Sequence, residues 1–308
     1  MSDQPKKILV IKHGSLGDIF LMLGALKDLA EIAGKKVDVL TMSPYVKLFK
    51  RSPDVDQVHI DNRKSRFSLR YLYGLWRIFR SPKYDLIVDF QNSTRTVFYR
   101  RTIGRGLRWC QMGVIAPDNF VTSEIESPVI GKFVAQLTEC GVSTRNLLAG
   151  DLSWLCEASS AQVKVASSKR SVVLLPGASA RHTHKIWPRY AALAEKLLDQ
   201  GVDVFIVPGP EDLELCRTMP GEILLDGDRW LDFFQLAGVL KEAKFVVGND
   251  SGPTHLAASL NCKGLALFSS RTAEYAPNMR RRRMDTRTAD ELSDIGVEEV
   301  AEKVMAAI

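Results

Sequence analysis

The sequence predicts an α/β protein with two doubly wound domains that face each other across a cleft. Short apolar runs such as Ile8–Ile11 alternate with helix-like segments, a pattern typical of buried parallel strands in right-handed βαβ units. The alternation restarts at Ser171, after a polar, Ser-rich stretch over 157–169 that we expect to be a linker. The 308 residues suit two domains, which we place at 1–158 and 165–308, the last helix being able to pack back on the N-terminal domain.

Each half contains its own series of predicted elements. In the first half, strands are expected at 8–11, 37–40, 55–60 and 84–90, with helices over 16–33 and 68–79. In the second half, strands are expected at 171–175, 204–207, 244–248 and, as the last strand, 264–268. Helices are expected there at 188–200, at 233–242 and from His255 onward.

Composition excludes several classes of protein. With 45% hydrophobic and 25% charged residues, the chain is an ordinary globular sequence rather than a disordered or fibrous one. No apolar stretch approaches the roughly 18 residues that span a bilayer, and the N-terminus shows no signal-peptide pattern, so we expect a cytoplasmic location. The five cysteines show no CxxC spacing, which predicts buried free thiols rather than disulfides or a zinc site.

Basic charge is concentrated in the first half. The formal net charge is +6, and the stretch from Arg63 to Arg108 has twelve basic residues but only two acidic ones, Asp85 and Asp89. Such a field favours an anionic partner, namely nucleic acid, an anionic membrane or an acidic glycan, although a merely solvated basic surface has the same composition.

The first informative loop follows the first strand, where doubly wound sheets bind ligands. Its Gly14-x-x-Gly17-Asp18 pattern is neither a GxGxxG dinucleotide motif nor a P-loop. The two glycines allow a ligand to approach the backbone closely. Asp18 is either a helix N-cap or a carboxylate that accepts a proton from a hydroxyl group.

Two loops of the second half suit phosphate and ribose. Gly177 and Ser179 precede Lys185, which either reaches a phosphate or is simply solvated, and Pro188 fits the first turn of the next helix. Glu211 is either a ribose ligand or a first-turn glutamate favoured by the helix dipole.

The fourth loop, GNDSGPTH at 248–255, places a Gly-rich turn before a helix, and the backbone N–H groups there suit a pyrophosphate. Asp250 or Ser251 as an N-cap, and His255 as an ordinary first-turn residue, are the alternatives. The order and spacing of the four loops are more specific than any one of them.

Together these motifs resemble glycosyltransferase family 9, the ADP-heptose:lipopolysaccharide heptosyltransferases of GT-B fold, which have two Rossmann-like domains. The resemblance covers nearly the whole chain and rests on KILVIKHGSLGD, YDLIVDFQNSTRT, LLPGAS followed by HKIWPRYAALAEKLLDQG, PGPE and VVGNDSGPTHLAA. The chain departs from the family at Leu23-Gly24-Ala25, where a proline is usual, and over 285–296, where a stretch with Cys and Pro is common. These departures leave the acceptor and the sugar open.

The resemblance implies a role for each matching residue. Asp18 corresponds to the catalytic base, and Lys185, also catalytic, steadies the leaving diphosphate. The implied donor-binding residues are Gly177, Ser179, Lys185, Glu211, Asp250, Ser251, Gly252 and His255. The implied reaction is an inverting single displacement from a nucleotide-sugar co-substrate, ADP-heptose, with no cofactor and no metal. We expect structural roles for two DxD-like pairs, Asp54 with Asp56 and Asp226 with Asp228, because neither has a further ligand at suitable spacing.

The resemblance also implies that the first domain binds the acceptor, an acidic lipopolysaccharide inner core. We assign acceptor binding to Gly14, Ser15, Gly17, Arg63, Lys64, Arg66 and Arg95, since arginine suits carboxylates and phosphates. Arg70, Arg100 and Arg101 have the same two candidate partners as the rest of the basic stretch: the acceptor and the anionic inner membrane, on whose cytoplasmic face we expect peripheral contact. The run 280–283 binds anions or membrane, or is simply exposed.

Two other functions stay open at this point. One is a GT-B transferase with another nucleotide-sugar donor, and the other is a non-catalytic protein that binds polyanions. We expect no nucleic acid partner, because the basic stretch lacks an RNP-like or helix-turn-helix pattern.

Overall fold

The computed structural model describes residues 5–80, 83–112, 128–280 and 283–308. The chain divides into two compact units, Met1–Trp154 and Leu155–Ile308. Among the described residues, none of the helices combines the length and the apolar character needed to cross a bilayer.

The first unit is a parallel sheet covered by helices. Its strands are β1 (Ile8–Ile11), β2 (Val37–Thr41), β3 (Val55–Ile60), β4 (Leu86–Asp89) and β5 (Trp109–Cys110). Its helices are α1 (Leu16–Ala33), α2 (Val46–Arg51), α3 (Leu69–Arg80), α4 (Thr94–Arg101), α5 (Pro128–Glu139) and α6 (Arg145–Ala149). The strands pair in parallel in the order β3-β2-β1-β4-β5, so the strand order reverses at β1 and β4. In such sheets the ligand crevice lies beyond the carboxyl ends of the strands at this reversal.

Burial explains why these segments form the sheet and its cover. Every residue of β1 and β4 is buried, as expected for strands with a helix layer on each face. Helix α3 contributes Leu75 and Phe79, four residues apart on one helix face, to the core. Helix α1 ends at Gly34, whose φ of 65° places it in the left-handed region, as the sequence predicts.

The second unit repeats the architecture. Its strands are β6 (Ser171–Leu175), β7 (Asp203–Ile206), β8 (Glu222–Ile223), β9 (Phe245–Asn249), β10 (Gly264–Ser269) and β11 (Met284–Ala289). Its helices are α7 (Ser160–Ser167), α8 (Tyr190–Asp199), α9 (Leu213–Arg217), α10 (Phe233–Glu242), α11 (Gly252–Ser259), α12 (Pro277–Arg280) and α13 (Val297–Met305). The parallel order is β11-β10-β9-β6-β7-β8, with the reversal at β6 and β9. The last helix, α13, packs on α8 and joins the core of this unit.

Three sequence predictions about the second unit are wrong. The stretch 157–169 is not a linker, because α7 lies within it and packs on α10 through buried Ala161 and Val165. Strand β10 is not the last, since β11 pairs beside it; only Met284 of β11 is buried, so no apolar run marks this strand. Helix α8 begins at Tyr190 with Arg189 as its N-cap, so Pro188 precedes the helix instead of lying in its first turn.

The cysteine prediction is wrong for one pair. Cys110 and Cys140 form a disulfide, because β5 and the end of α5 bring together two residues that are 30 positions apart. Such a spacing carries no signal in the sequence. Cys216 and Cys262 are free and buried, as expected.

Candidate active site

Lys12 and Asp18 form an ion pair at the carboxyl end of β1. The Lys12 ammonium lies 3.1 Å from Asp18 Oδ2 and 3.4 Å from the carbonyl oxygen of Phe90. The Lys12 side chain is 3% exposed, whereas that of Asp18 is 35% exposed. Burial lowers the pKa of Lys12, although the Asp18 carboxylate opposes that shift. The pair therefore holds a solvent-accessible carboxylate in one place at the ligand edge of the sheet.

Helix α1 places Asp18 in its first turn instead of at its N-cap. The N-cap residue is Ser15, with φ −71° and ψ 168°, and the helix begins at Leu16. The N-cap alternative for Asp18 is thereby wrong. Because Gly17 is buried and Asp18 follows it in the first turn, the carboxylate lies close to the glycine loop.

The loop after β4 braces the glycine loop. The side-chain oxygen of Gln91 accepts hydrogen bonds from the backbone N–H groups of His13 and Gly14, at 2.9 and 3.2 Å. Buried Asp89 in turn accepts bonds from the N–H groups of Gln91 and Asn92, at 2.9 and 3.1 Å. These contacts fix the backbone of His13 and Gly14 through residues of the YDLIVDFQNSTRT motif to which sequence reasoning assigned no role.

A second buried carboxylate, Asp61, is contacted by three side chains from different elements. Tyr71 and Tyr99 donate to its two oxygens at 2.5 and 2.6 Å, and His13 Nε2 lies 2.9 Å from Oδ2. Burial alone would raise the pKa of Asp61, but the contacts with His13 and the two tyrosines hold it well below its usual range. Sequence reasoning missed this cluster, because its members are far apart in the chain.

The basic residues assigned to the acceptor surround this cluster. Arg95 Nη1 donates to the carbonyl oxygen of Lys64 at 3.0 Å and lies 3.4 Å from the hydroxyls of Tyr71 and Tyr99. Arg63 donates its backbone N–H to Asp61 at 2.7 Å, and its side chain is exposed.

Arg66 completes this group: it is exposed, and its guanidinium lies 5.5 Å from the centre of the Phe98 ring. The four assigned basic residues thus lie on the loop after β3 and at the start of α4.

In the second unit, Asp250 joins Lys185 to His255. Lys185 Nζ lies 2.6 Å from Asp250 Oδ2, and His255 Nε2 lies 3.3 Å from Oδ1. Burial would raise the pKa of Asp250, but His255 and Lys185 together lower it. The other ring nitrogen of His255, Nδ1, is buried and has no hydrogen-bond partner within the described chain. The three residues, assigned separately from sequence, form one polar cluster.

The same cluster lies at the start of α11, which begins at Gly252 with Ser251 as its N-cap. The Ser251 side chain makes no capping hydrogen bond and instead lies 3.2 Å from the Thr254 hydroxyl. The turn therefore offers backbone N–H groups and a lysine to an anion, the combination that binds phosphates at helix N-termini. His255 lies in the first turn, so the helix begins three residues earlier than the sequence predicts.

Asn249 ties the loops after β6 and β9 together. Its side-chain oxygen accepts bonds from the Trp187 N–H and the Tyr190 hydroxyl, both at 3.1 Å, and its side-chain nitrogen donates to the Pro176 carbonyl at 2.7 Å. This amide holds the chain on both sides of Lys185, and sequence reasoning assigned it no role.

Gly177 lies against Asp212, the residue after the predicted ribose ligand. A Cβ at Gly177 would lie 2.0 Å from Asp212 Oδ2, so no larger residue fits without movement. Burial raises the pKa of Asp212, although backbone N–H groups of Ala178 and Gly209 counter it. Glu211 is exposed and precedes Asp212, the N-cap of α9, so the first-turn alternative for Glu211 is wrong.

Ser179 is exposed and is the N-cap of the short 3₁₀ helix Ala180–Lys185. This helix connects the end of β6 to Lys185.

The DxD-like pairs have local partners. Asp56 lies 3.9 Å from Lys7, and Asp226 exchanges backbone hydrogen bonds with Arg229 across a turn. In the described part of the chain, no three His, Cys, Asp or Glu side chains are grouped so that they could hold a metal ion.

Solved glycosyltransferases share this fold. The E. coli heptosyltransferase WaaC with ADP-2-deoxy-2-fluoro heptose is similar with a TM-score of 0.71 at 19% identity, covering 98% of this chain and 100% of that one. The E. coli ADP-heptose lps heptosyltransferase II gives a TM-score of 0.71 at 22% identity, with 98% of both chains covered. The two parallel sheets therefore form a GT-B-type fold with two Rossmann-like domains.

Sequence comparison identifies the family. The profile of glycosyltransferase family 9 (heptosyltransferase) matches residues 72–303, so the chain belongs to this family and is a glycosyltransferase. Lipopolysaccharide heptosyltransferase 2 of Escherichia coli strain K12 is 23% identical over 311 residues, covering 88% of this chain and 85% of that protein. Lipopolysaccharide heptosyltransferase 3 of Escherichia coli is 23% identical over 284 residues, covering 82% and 81%. The resemblance seen in the motifs is thus confirmed.

Proposed function

We propose that this enzyme transfers a heptose from ADP-heptose to a hydroxyl group of an acidic lipopolysaccharide inner core, by inverting single displacement without a metal or cofactor. Membership of the heptosyltransferase family supports the sugar. The names of the similar proteins, which mention ADP-heptose and lipopolysaccharide, support the donor and the acceptor.

The donor diphosphate binds at the start of α11. Lys185 Nζ lies 2.6 Å from Asp250 Oδ2, and this ammonium would also contact the β-phosphate as ADP departs. The N–H groups of the first helical turn add partial positive charge there. Because charge accumulates on the leaving phosphate, these fixed dipoles and one ammonium stabilise the transition state.

The acceptor is activated by Asp18. The acceptor oxygen attacks the anomeric carbon and forms the new C–O bond, while the bond from that carbon to the β-phosphate oxygen breaks and ADP leaves with its electrons. The acceptor hydroxyl proton passes to an Asp18 oxygen. Lys12, 3.1 Å from Asp18 Oδ2, holds the carboxylate in place.

Acceptor anions bind the basic residues Arg63, Lys64, Arg66 and Arg95 around Asp61. Arg95 is already oriented by two tyrosine hydroxyls and one carbonyl oxygen. Since guanidinium groups pair well with carboxylates and phosphates, this edge suits an acidic sugar core. The enzyme would act in the cytoplasm, in peripheral contact with the inner membrane that holds this acceptor.

The single observation that carries the proposal is the paired, accessible Asp18 carboxylate at the β1 edge. The test is mass spectrometry of products formed from a panel of ADP-, UDP- and GDP-sugars and a lipopolysaccharide-core acceptor, with a chelator present. We expect a heptose adduct from ADP-heptose alone, and its loss in Asp18→Ala. Transfer only from a UDP- or GDP-sugar would contradict the donor, and absence of any adduct despite polyanion binding would contradict catalysis.

A further inference from the structure

Helix α3 of the first unit and the turn before it leave large apolar side chains uncovered. Phe67, Leu69, Tyr73 and Trp76 are 93%, 81%, 62% and 46% exposed. They make up half of the large hydrophobic residues that are exposed in the described chain, and all lie within ten positions. The opposite face of α3, with Leu75 and Phe79, is buried in the core. The exposed side chains are therefore not needed for packing of this unit.

The exposed residues form a stripe along the helix. Leu69, Tyr73 and Trp76 are spaced by four and three positions, so they share one face, and the Tyr73 and Trp76 rings stack with centroids 6.0 Å apart. Arg70 and Arg77, both exposed, lie one position further and border this stripe. No acidic residue occurs in the sequence between Asp61 and Asp85.

An arginine-lined hollow lies beside the end of the same helix. Arg80 of α3 donates to the carbonyl oxygens of Ile103 and Arg105, which places the turn after α4 against the helix. The hollow there has a volume of about 350 Å³, and its lining includes Arg100, Arg101 and Arg105. The Arg100 Nε atom is buried and has no hydrogen-bond partner among the described residues. An anionic group in the hollow would supply that partner.

We propose that the α3 face docks the enzyme on an anionic lipid bilayer, with Phe67, Leu69, Tyr73 and Trp76 entering the interface and a lipid phosphate occupying the arginine-lined hollow. An apolar stripe bordered by arginines is the arrangement that binds membrane surfaces, and each basic residue adds attraction to anionic headgroups.

The aliphatic member of the stripe favours a bilayer over RNA. Nucleic acid bases stack on aromatic rings, but they would leave Leu69, at 81% exposure, in water. An acyl-chain boundary covers aliphatic and aromatic groups alike. Trp and Tyr are also the residues enriched at membrane interfaces.

The inference rests on the proposed function only for the expectation that the acceptor is held in a membrane. Its test therefore uses vesicles that contain neither donor nor acceptor. The full-length enzyme is sedimented with vesicles of phosphatidylethanolamine and phosphatidylglycerol at 3:1, and with vesicles of phosphatidylcholine alone. We expect binding to the anionic vesicles that weakens as salt is added and little binding to the neutral ones.

Three variants examine the surface. Arg70→Gln with Arg77→Gln should weaken binding to the anionic vesicles by roughly 30-fold, and Arg100→Gln by about fivefold. Leu69→Ser, Tyr73→Ser and Trp76→Ser together should weaken it by at least about tenfold, because the apolar area entering the interface is lost. The matched controls in the second unit are Val163→Ser with Trp230→Ser and Lys169→Gln with Lys244→Gln, all at exposed positions; they should bind like the unmodified enzyme.

Two further measurements separate the explanations. The triple serine variant should keep its Tm and its transfer rate on a detergent-solubilised acceptor, since none of its positions belongs to the site. If the triple serine variant bound vesicles as well as the unmodified enzyme does, the proposal would be overturned. The same would follow if this variant lost binding to single-stranded RNA but kept its binding to vesicles. Failure of sugar transfer with normal vesicle binding would contradict the proposed function alone.

Discussion

Replacing Lys12 with Met should reduce catalysis by Asp18 at the end of β1 while leaving the stability of the fold nearly unchanged. The methionine side chain has a similar length and suits this buried position, but it removes the ammonium, which lies 3.1 Å from Asp18 and 5.6 Å from the centre of the Phe133 ring. Asp18 itself stays in place on α1 as an intact carboxylate. Activity should therefore fall through loss of positioning rather than loss of the base.

The expected magnitudes follow from exposure. Asp18 is 35% exposed, so water can solvate its carboxylate once Lys12 is gone, and the free energy of unfolding should change by no more than about 1 kcal/mol. Freedom of the carboxylate to move by about 1 Å should cost roughly 10²-fold in kcat. Most of that loss should appear in kcat, because the proposed donor-binding residues belong to the other unit.

The assay is steady-state ADP release over a range of pH, with urea unfolding as the stability control. Because burial lowers the pKa of Lys12, the ammonium is lost at a pH below the usual lysine value of 10.5, and activity of the unmodified enzyme should fall there. Lys12→Met should lack this alkaline fall. The free energy of unfolding should change in the opposite direction. Below the folded-state pKa of Lys12, burial of the charged ammonium lowers the free energy of unfolding, and this destabilisation disappears as the pH rises toward 10.5.

A double variant completes the test. Lys12→Met with Asp18→Asn should be no slower than Asp18→Asn alone, since the lysine acts through the carboxylate. Two outcomes would refute the ion pair as a functional contact: a loss of kcat in the double variant equal to the product of the two single losses, or a nearly normal kcat in Lys12→Met.

Two further substitutions concern residues that support the candidate sites. Asp61→Asn should lower the free energy of unfolding by about 3 kcal/mol at pH 7, as measured by urea unfolding. Because the contacts of Asp61 lower its pKa, this difference should persist above about pH 5 and shrink as the pH falls below about 4. Equal losses at pH 3 and pH 7 would contradict it. Gly177→Ala should lower the Tm, at a cost of about 1–3 kcal/mol, and weaken ADP binding by calorimetry, because its Cβ would meet Asp212 Oδ2 at 2.0 Å; unchanged ADP affinity would show that this contact lies outside the donor site.

The strands rich in valine, isoleucine and leucine were predictable, and β5, β8 and β11 were not. All residues of strands β1, β4, β6 and β9 are buried. Their largely apolar composition therefore marks them as central strands in the sequence. Strand β11 lies at the sheet edge, mixes charge with threonine and leaves no such trace. Helix α7 was hidden in the same way, since only two of its eight residues are buried.

Motifs located the candidate site residues, but not their partners. The spacing of GNDSGPTH indicates a turn before a helix, yet it cannot show that Lys185, 65 positions earlier, bonds to Asp250. The same holds for Asp61, whose partners His13, Tyr71 and Tyr99 come from different elements. Pairings of this kind depend on strand order, which single-sequence patterns do not determine.

The most direct test of the central claim is the transfer rate of Asp18→Asn at saturating ADP-heptose. Asparagine keeps the size of the side chain but cannot take up the acceptor proton. We predict that kcat falls by about 10²- to 10⁴-fold while the Kd for ADP stays unchanged. Transfer at nearly the unmodified rate would show that the carboxylate beside Lys12 is not the base.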